Sequence, residues 1–226
     1  MRLEVSPVGE VRVTVPERFR LERVHAFVAE HSNWLARTLE RIRQRQQAEP
    51  DLFASRPQRI CLQALDRHWD VRYQHGARAG VRVEAGTDPT TTQLIVQTRD
   101  NLDNGATLRA WLQRQAQTHL IPWLERTSAY HGLRYHSVSI RSQKTRWGSC
   151  SARKNISLNR ALLFLPPELV EYLLVHELCH TQHLNHSLRY WNLVERCDPD
   201  YARKERELSR AQRWVPAWAH TPHNGG

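Results

Sequence analysis

Pro166-Pro167-Glu168-Leu169-Val170-Glu171-Tyr172-Leu173-Leu174-Val175-His176-Glu177-Leu178-Cys179-His180 is the stretch on which the reading of this chain turns. A proline in a first helical turn loses no hydrogen bond, and Glu168 suits the positive end of the helix dipole. Val170, Leu173, Leu174 and Leu178 recur at helical spacing, so the pattern predicts a helix from about Pro167 to His183. On that helix His176 and His180 are four residues apart and project from one side. Both imidazoles can face a single cation, and Glu177 beside them can reach a water on its open side. This is an HExxH pattern. Nitrogen ligands in a tetrahedral site favour zinc. A charged pair on a helix otherwise rich in leucine is costly to bury without such a partner.

Two imidazoles leave room for a third ligand. Asn185-His186-Ser187 follows the helix, and Asn185 tolerates the left-handed backbone of a turn that would swing His186 back. His183 shares the helical stripe, but a straight helix carries it roughly 10 Å along the axis from His176. Glu195 could arrive from a following helix. His186 is preferred, with His183 and Glu195 as alternatives. Glu177 is the candidate general base. Tyr190, Arg146 and Arg189 are candidates to stabilise a transition state or contact substrate.

Upstream, Arg2–Pro7 and Val11–Pro16 read as paired strands. Leu21–Gln47 has helical periodicity with an Arg- and Gln-rich outer face. Arg59–Leu65, Trp69–Tyr73, Val81–Glu84 and Gln93–Gln97 read as strands, with turn signals at Gly76, Gly80, Gly86 and Pro89. Beyond Asn104-Gly105 a helix is expected to His131, bent at Pro122. Ser137–Ile140 and Asn155–Asn159 read as strands, the second continuing through Arg160–Leu165. Further helices are expected over about Ser187–Cys197 and Pro199–Arg213. The strand at Asn155–Asn159 is the expected cleft lip, where an extended peptide could add by main-chain hydrogen bonds. Trp147-Gly148 just before it reads as a tight turn with an aromatic plug.

Composition excludes the disordered and fibrous classes, with 40% hydrophobic and 25% charged residues. No apolar run approaches the roughly 18 residues of a membrane span. The N-terminus lacks a secretory signal, so a cytoplasmic address is expected. Cys61, Cys150, Cys179 and Cys197 match neither a zinc ribbon nor a redox pair, and are expected to be reduced and buried. The net charge of +10 reads first as a basic surface. From Arg126 to Pro167 the chain carries no Asp or Glu, which leaves nucleic acid open as a partner and would draw acidic peptides to a neighbouring cleft.

Lys144-Thr145-Arg146-Trp147-Gly148-Ser149-Cys150, Ile156-Ser157-Leu158-Asn159, the HExxH residues, Asn185-His186-Ser187 and Tyr190-Trp191 together resemble the YgjP-like metallopeptidase family, related to the SprT and WLM groups of minigluzincin-type proteases. The resemblance is strong over about Gln143–Glu195 and looser toward the N-terminus. It implies an α+β, zincin-like metallopeptidase fold with a short sheet beside the HExxH helix. It implies one Zn²⁺ per chain held by His176, His180 and His186, with Glu177 as acid/base and a peptide or protein as substrate. Tyr190 departs mildly from the Phe often found before the Trp. The spacing also resembles metzincins, but His183 occupies their glycine position and Met1 is the only methionine. The expected organisation is a small mixed α+β region over 1–100, the zincin-like core over 101–215 and an irregular tail over 216–226.

Overall fold

Strand pairing and helix burial divide the molecule into an open N-terminal part and a packed remainder. The structure is a computed structural model that describes residues 1–6, 9–16, 21–85, 92–98, 104–143 and 146–220. Pro7, Gly86, Pro89, Lys144, Thr145 and the last six residues, all named above or within the expected tail, lie outside the described residues.

β1 (Arg2–Val5) and β2 (Val11–Thr14) form an antiparallel pair in the register Arg2↔Thr14 to Val5↔Val11. The expected single helix over Leu21–Gln47 is two: α1 (Leu21–Glu30) and α2 (Ser32–Ala48). The break has a local cause. The His31 ring takes the Phe27 carbonyl at 2.8 Å, while the His31 backbone N–H turns to Val28 at 3.1 Å. That replaces an α-helical bond by a tighter turn. No residue of α2 is buried.

After α3 (Pro50–Phe53) come β3 (Arg59–Leu62), β4 (Arg67–His75), β5 (Gly80–Ala85) and β6 (Thr92–Thr98). They form one mixed sheet in the order β3-β4-β6-β5, with β4 and β6 parallel. Gln63–Leu65, expected as the end of a strand, is a 3₁₀ turn closed by Asp66 in the left-handed conformation. α4 (Asn104–His131) continues through Pro122 and buries Leu108, Trp111, Leu112, Ala116, Leu120 and Leu124. Trp69 of β4 meets Trp111 of α4 edge to face at 5.2 Å, so sheet and helix share one core.

A second sheet follows, with β7 (Ser137–Arg141), β8 (Gly148–Cys150) and β9 (Asn155–Asn159) in the order β7-β9-β8. β9 is parallel to β7 and antiparallel to β8, in the register Gly148↔Leu158, Ser149↔Ser157, Cys150↔Ile156. The Asn155–Asn159 strand is therefore central, with both edges paired. β7 and β8 are the two edge strands, and β8 is the one that packs beside the HExxH helix, so the strand expected as the lip is an interior one. Nor does β9 run on to Leu165: Arg160–Phe164 is a buried 3₁₀ helix. Asn159 accounts for the change, since its side-chain oxygen accepts from Ala161 N at 3.0 Å.

α5 (Pro167–Cys179), α6 (Leu188–Cys197) and α7 (Tyr201–Leu208) complete the chain with short 3₁₀ turns at Ala211–Trp214 and Ala217–Ala219. α5 buries nine of its 13 residues. Within the expected irregular tail, Trp218 is buried edge-on against Phe164 at 5.7 Å, and Arg109 and Arg160 donate to the Trp218 and Ala219 carbonyls. Cys179 alone of the four cysteines is buried; Cys61 is exposed, and Cys150 and Cys197 are intermediate. Among the described residues no helix is long and apolar enough to cross a membrane.

Candidate metal centre

The HExxH helix ends earlier than its periodicity predicts. α5 stops at Cys179, with His180 as its C-cap, not at His183. Two side chains end it. Thr181 Oγ1 donates to the Leu178 carbonyl at 2.7 Å, and His180 Nδ1 donates to the His183 carbonyl at 3.0 Å. The backbone tightens in step, Thr181 N reaching Leu178 and Gln182 N reaching Cys179. The chain then doubles back over Leu184 and Asn185, and Ser187 caps α6 by accepting from Tyr190 N at 3.4 Å. His186 is thereby returned to the HExxH face.

The outcome is a cluster. One ring nitrogen from each of His176, His180 and His186 lies within 4.8 Å of the others. The Nε2 atoms of His176 and His186 are 3.5 Å apart. Tetrahedral ligands at zinc–nitrogen distances near 2.0–2.1 Å would sit roughly 3.3 Å from one another, so the donor set fits a small divalent cation. Glu195 is exposed and outside the cluster, and His183 contributes its carbonyl to fixing the His180 ring. A carbonyl can only accept, so His180 carries its proton on Nδ1 and keeps the Nε2 lone pair free.

A family model described as "YgjP-like, metallopeptidase domain" matches residues 1–211. The chain belongs to the YgjP-like metallopeptidase family. Membership makes it a hydrolase of peptide bonds of the metal-dependent kind, in a mixed α+β fold. The crystal structure of the metallopeptidase zymogen of Pyrococcus abyssi abylysin shares 30% sequence identity, covers 41% of this chain and 94% of that one, and superposes with a TM-score of 0.35. No curated protein matches the sequence.

Aromatic rings back the histidines of this YgjP-like chain. Tyr190 stacks on His180 at 4.4 Å and 22°, and Trp191 stacks on His186 at 5.5 Å and 24°. Tyr201 stacks in turn on Trp191 at 5.5 Å. Tyr190 is fully buried and its hydroxyl donates to the His176 carbonyl at 3.2 Å. The hydroxyl of Tyr190, a candidate substrate contact by sequence, is thus engaged with a helix carbonyl, and its ring supports His180. Burial and the neighbouring His180 and His186 push the His176 imidazole down to about 3, which keeps it neutral and able to donate a lone pair.

Glu177 is 4% exposed, and its Oε2 has no hydrogen-bond partner. Burial pushes its carboxyl up to about 8, against the Arg146 guanidinium, which pulls it down. Space for the carboxylate comes from Gly148: a Cβ there would lie 2.5 Å from Glu177 Oε1. Gly148 heads β8, which therefore runs directly beside the candidate base. Arg146, exposed, precedes it. Asn159 holds this loop, its Nδ2 donating to the carbonyls of Gln143 at 2.8 Å and Arg146 at 2.9 Å. Trp147 packs on the core, as the expected plug does. Motif spacing located His176, Glu177, His180 and His186, but not Asn159 or the closeness of Gly148 to Glu177. The glycine in Trp147-Gly148 was the available signal, read there as a turn.

Proposed function

We propose that this chain is a zinc-dependent metallopeptidase in which His176, His180 and His186 hold one Zn²⁺ and Glu177 is the general base. The convergence of three imidazoles, with a buried carboxylate carrying an unsatisfied oxygen beside them in sequence, carries this reading. An orphaned buried carboxylate oxygen calls for a partner, and a reacting water supplies one. When bound, zinc supplies Lewis acidity toward a water molecule and a scissile carbonyl. Glu177 takes the water's proton at its carboxylate and hands it to the leaving amine nitrogen. Its raised affinity for a proton suits both halves of that transfer. β8, with a free edge among the described residues, aligns an extended peptide through main-chain hydrogen bonds. Arg146, held by Asn159, contacts the substrate carbonyl region.

The test pairs metal analysis with one substitution. Purified protein should contain about one zinc per chain and cleave an unfolded protein substrate. Glu177→Gln should keep the zinc and lose turnover by about 10²–10⁴-fold. Unchanged turnover, or a wild type that takes up no zinc from a zinc-supplemented buffer, would overturn the reading.

A further inference from the structure

His180 and His186 are steadied by groups already described, but His176 has a different support. On its inner side Tyr172 Oη lies 3.5 Å from His176 Nδ1, one helical turn earlier on α5. Tyr172 is fully buried. Its proton goes the other way, to Glu205 Oε2 at 2.6 Å, on α7. A phenol donating to a carboxylate at that distance makes a short, charge-assisted bond and becomes a better acceptor on its remaining lone pairs. The proton between Tyr172 and His176 must then belong to Nδ1. That tautomer leaves the lone pair on Nε2, the same nitrogen that faces His186 at 3.5 Å.

α7 is placed for this. Lys204, beside Glu205, donates to both Asp198 oxygens at 2.9 and 2.7 Å, with side chains only 14% and 9% exposed. This bidentate contact ties the first turns of α7 to the end of α6. Lys204 is thereby directed to Asp198, and the Glu205 carboxylate is left to Tyr172. Tyr201, one turn earlier on α7, backs Trp191 and through it His186. The same short helix thus supports two of the three imidazoles.

We infer that Tyr172 and Glu205 are positioning residues for His176, a hydrogen-bonded relay that fixes the tautomer presenting Nε2 to the metal and so raises metal affinity. This rests on the zinc reading above. Outer partners of metal-bound histidines typically change affinity by about 10–100-fold.

The experiment uses the full chain and zinc alone. Zn²⁺ affinity is measured by chelator competition for the wild type, Tyr172→Phe, Glu205→Gln and the double variant. Each single change should weaken binding by about tenfold. The double variant should be no weaker than Tyr172→Phe, because Glu205 acts through the phenol. Long-range ¹H–¹⁵N spectra of the metal-free protein supply a readout that altered folding does not mimic. They should show the His176 proton on Nδ1 in the wild type and a mixture of tautomers in Tyr172→Phe. Glu205 is exposed, so Glu205→Gln stays informative if Tyr172→Phe folds poorly. Wild-type affinity in both single variants, or losses that multiply in the double variant, overturns the relay while leaving the zinc reading standing. A wild type that binds no zinc overturns both.

Discussion

α2 and α5 are helices of similar length with opposite fates. α2 has 17 residues and buries none; α5 has 13 and buries nine. By pattern α2 is the more amphipathic, with Leu35, Leu39 and Ile42 in one stripe and Trp34 outside it, between Arg41 and Arg45. α5 carries Glu168 and Glu171 in its first turn and a half and is apolar almost all round beyond it, interrupted only by His176 and Glu177. A striped helix is built for one wet face, whereas a helix apolar on every side has to be enclosed. The imidazoles and carboxylate of α5 are therefore held by an interior at close-packed density, while α2 rests on local contacts and leaves Trp34 47% exposed.

Four changes sharpen or break this contrast. His186→Ala should have the largest effect, weakening zinc binding by more than about 100-fold, beyond the range of outer partners. Retained affinity by chelator competition would mean that the tight turn after His180 does not deliver the third ligand. Next is the pH response of the metal-free protein. The unfolded Glu177 carboxyl ionises near 4.5 and the folded one at about 8, so the folded chain binds the extra proton between them. Stability should fall as pH rises through that window, by about 1.4 kcal/mol per pH unit from this group. Glu177→Gln should flatten that fall in denaturant melts at pH 5.5 and 7.5; an unchanged slope would place the carboxyl in water. Gly148→Ala should cost about 1–3 kcal/mol by pressing a methyl on Glu177. A neutral melt would show that β8 has slack. Trp34→Ala should be smallest, within about 0.5 kcal/mol. A loss above 2 kcal/mol would place Trp34 in a core and remove the contrast.

The legible parts were local ones. HExxH spacing, the Pro166-Pro167 start and the return of His186 all depend on neighbours within a few residues. The end of α5 was not legible, because it is set by the Thr181 hydroxyl and His180 ring binding particular carbonyls, a choice that apolar periodicity does not register. The break at His31 has the same origin. Sheet order failed for another reason. β9 reads as a strand but β8 only as a turn, and it takes the long-range pairing of β9 with β7 on one side and β8 on the other to show that β9 lies inside. The Tyr172–Glu205 contact joins positions 33 residues apart. Tyr172 was hidden because a tyrosine on a leucine-rich helix reads as filling.

All three clustered nitrogens and the candidate base come from positions 176 to 186. The separation from His176 to His186 is 10 residues, against 18 between paired positions of β7 and β9 such as Ser137 and Asn155, a difference in closure entropy of only about 0.5 kcal/mol. One short segment thus carries the whole donor set, so its spacing is set within a helix end and the turn that follows.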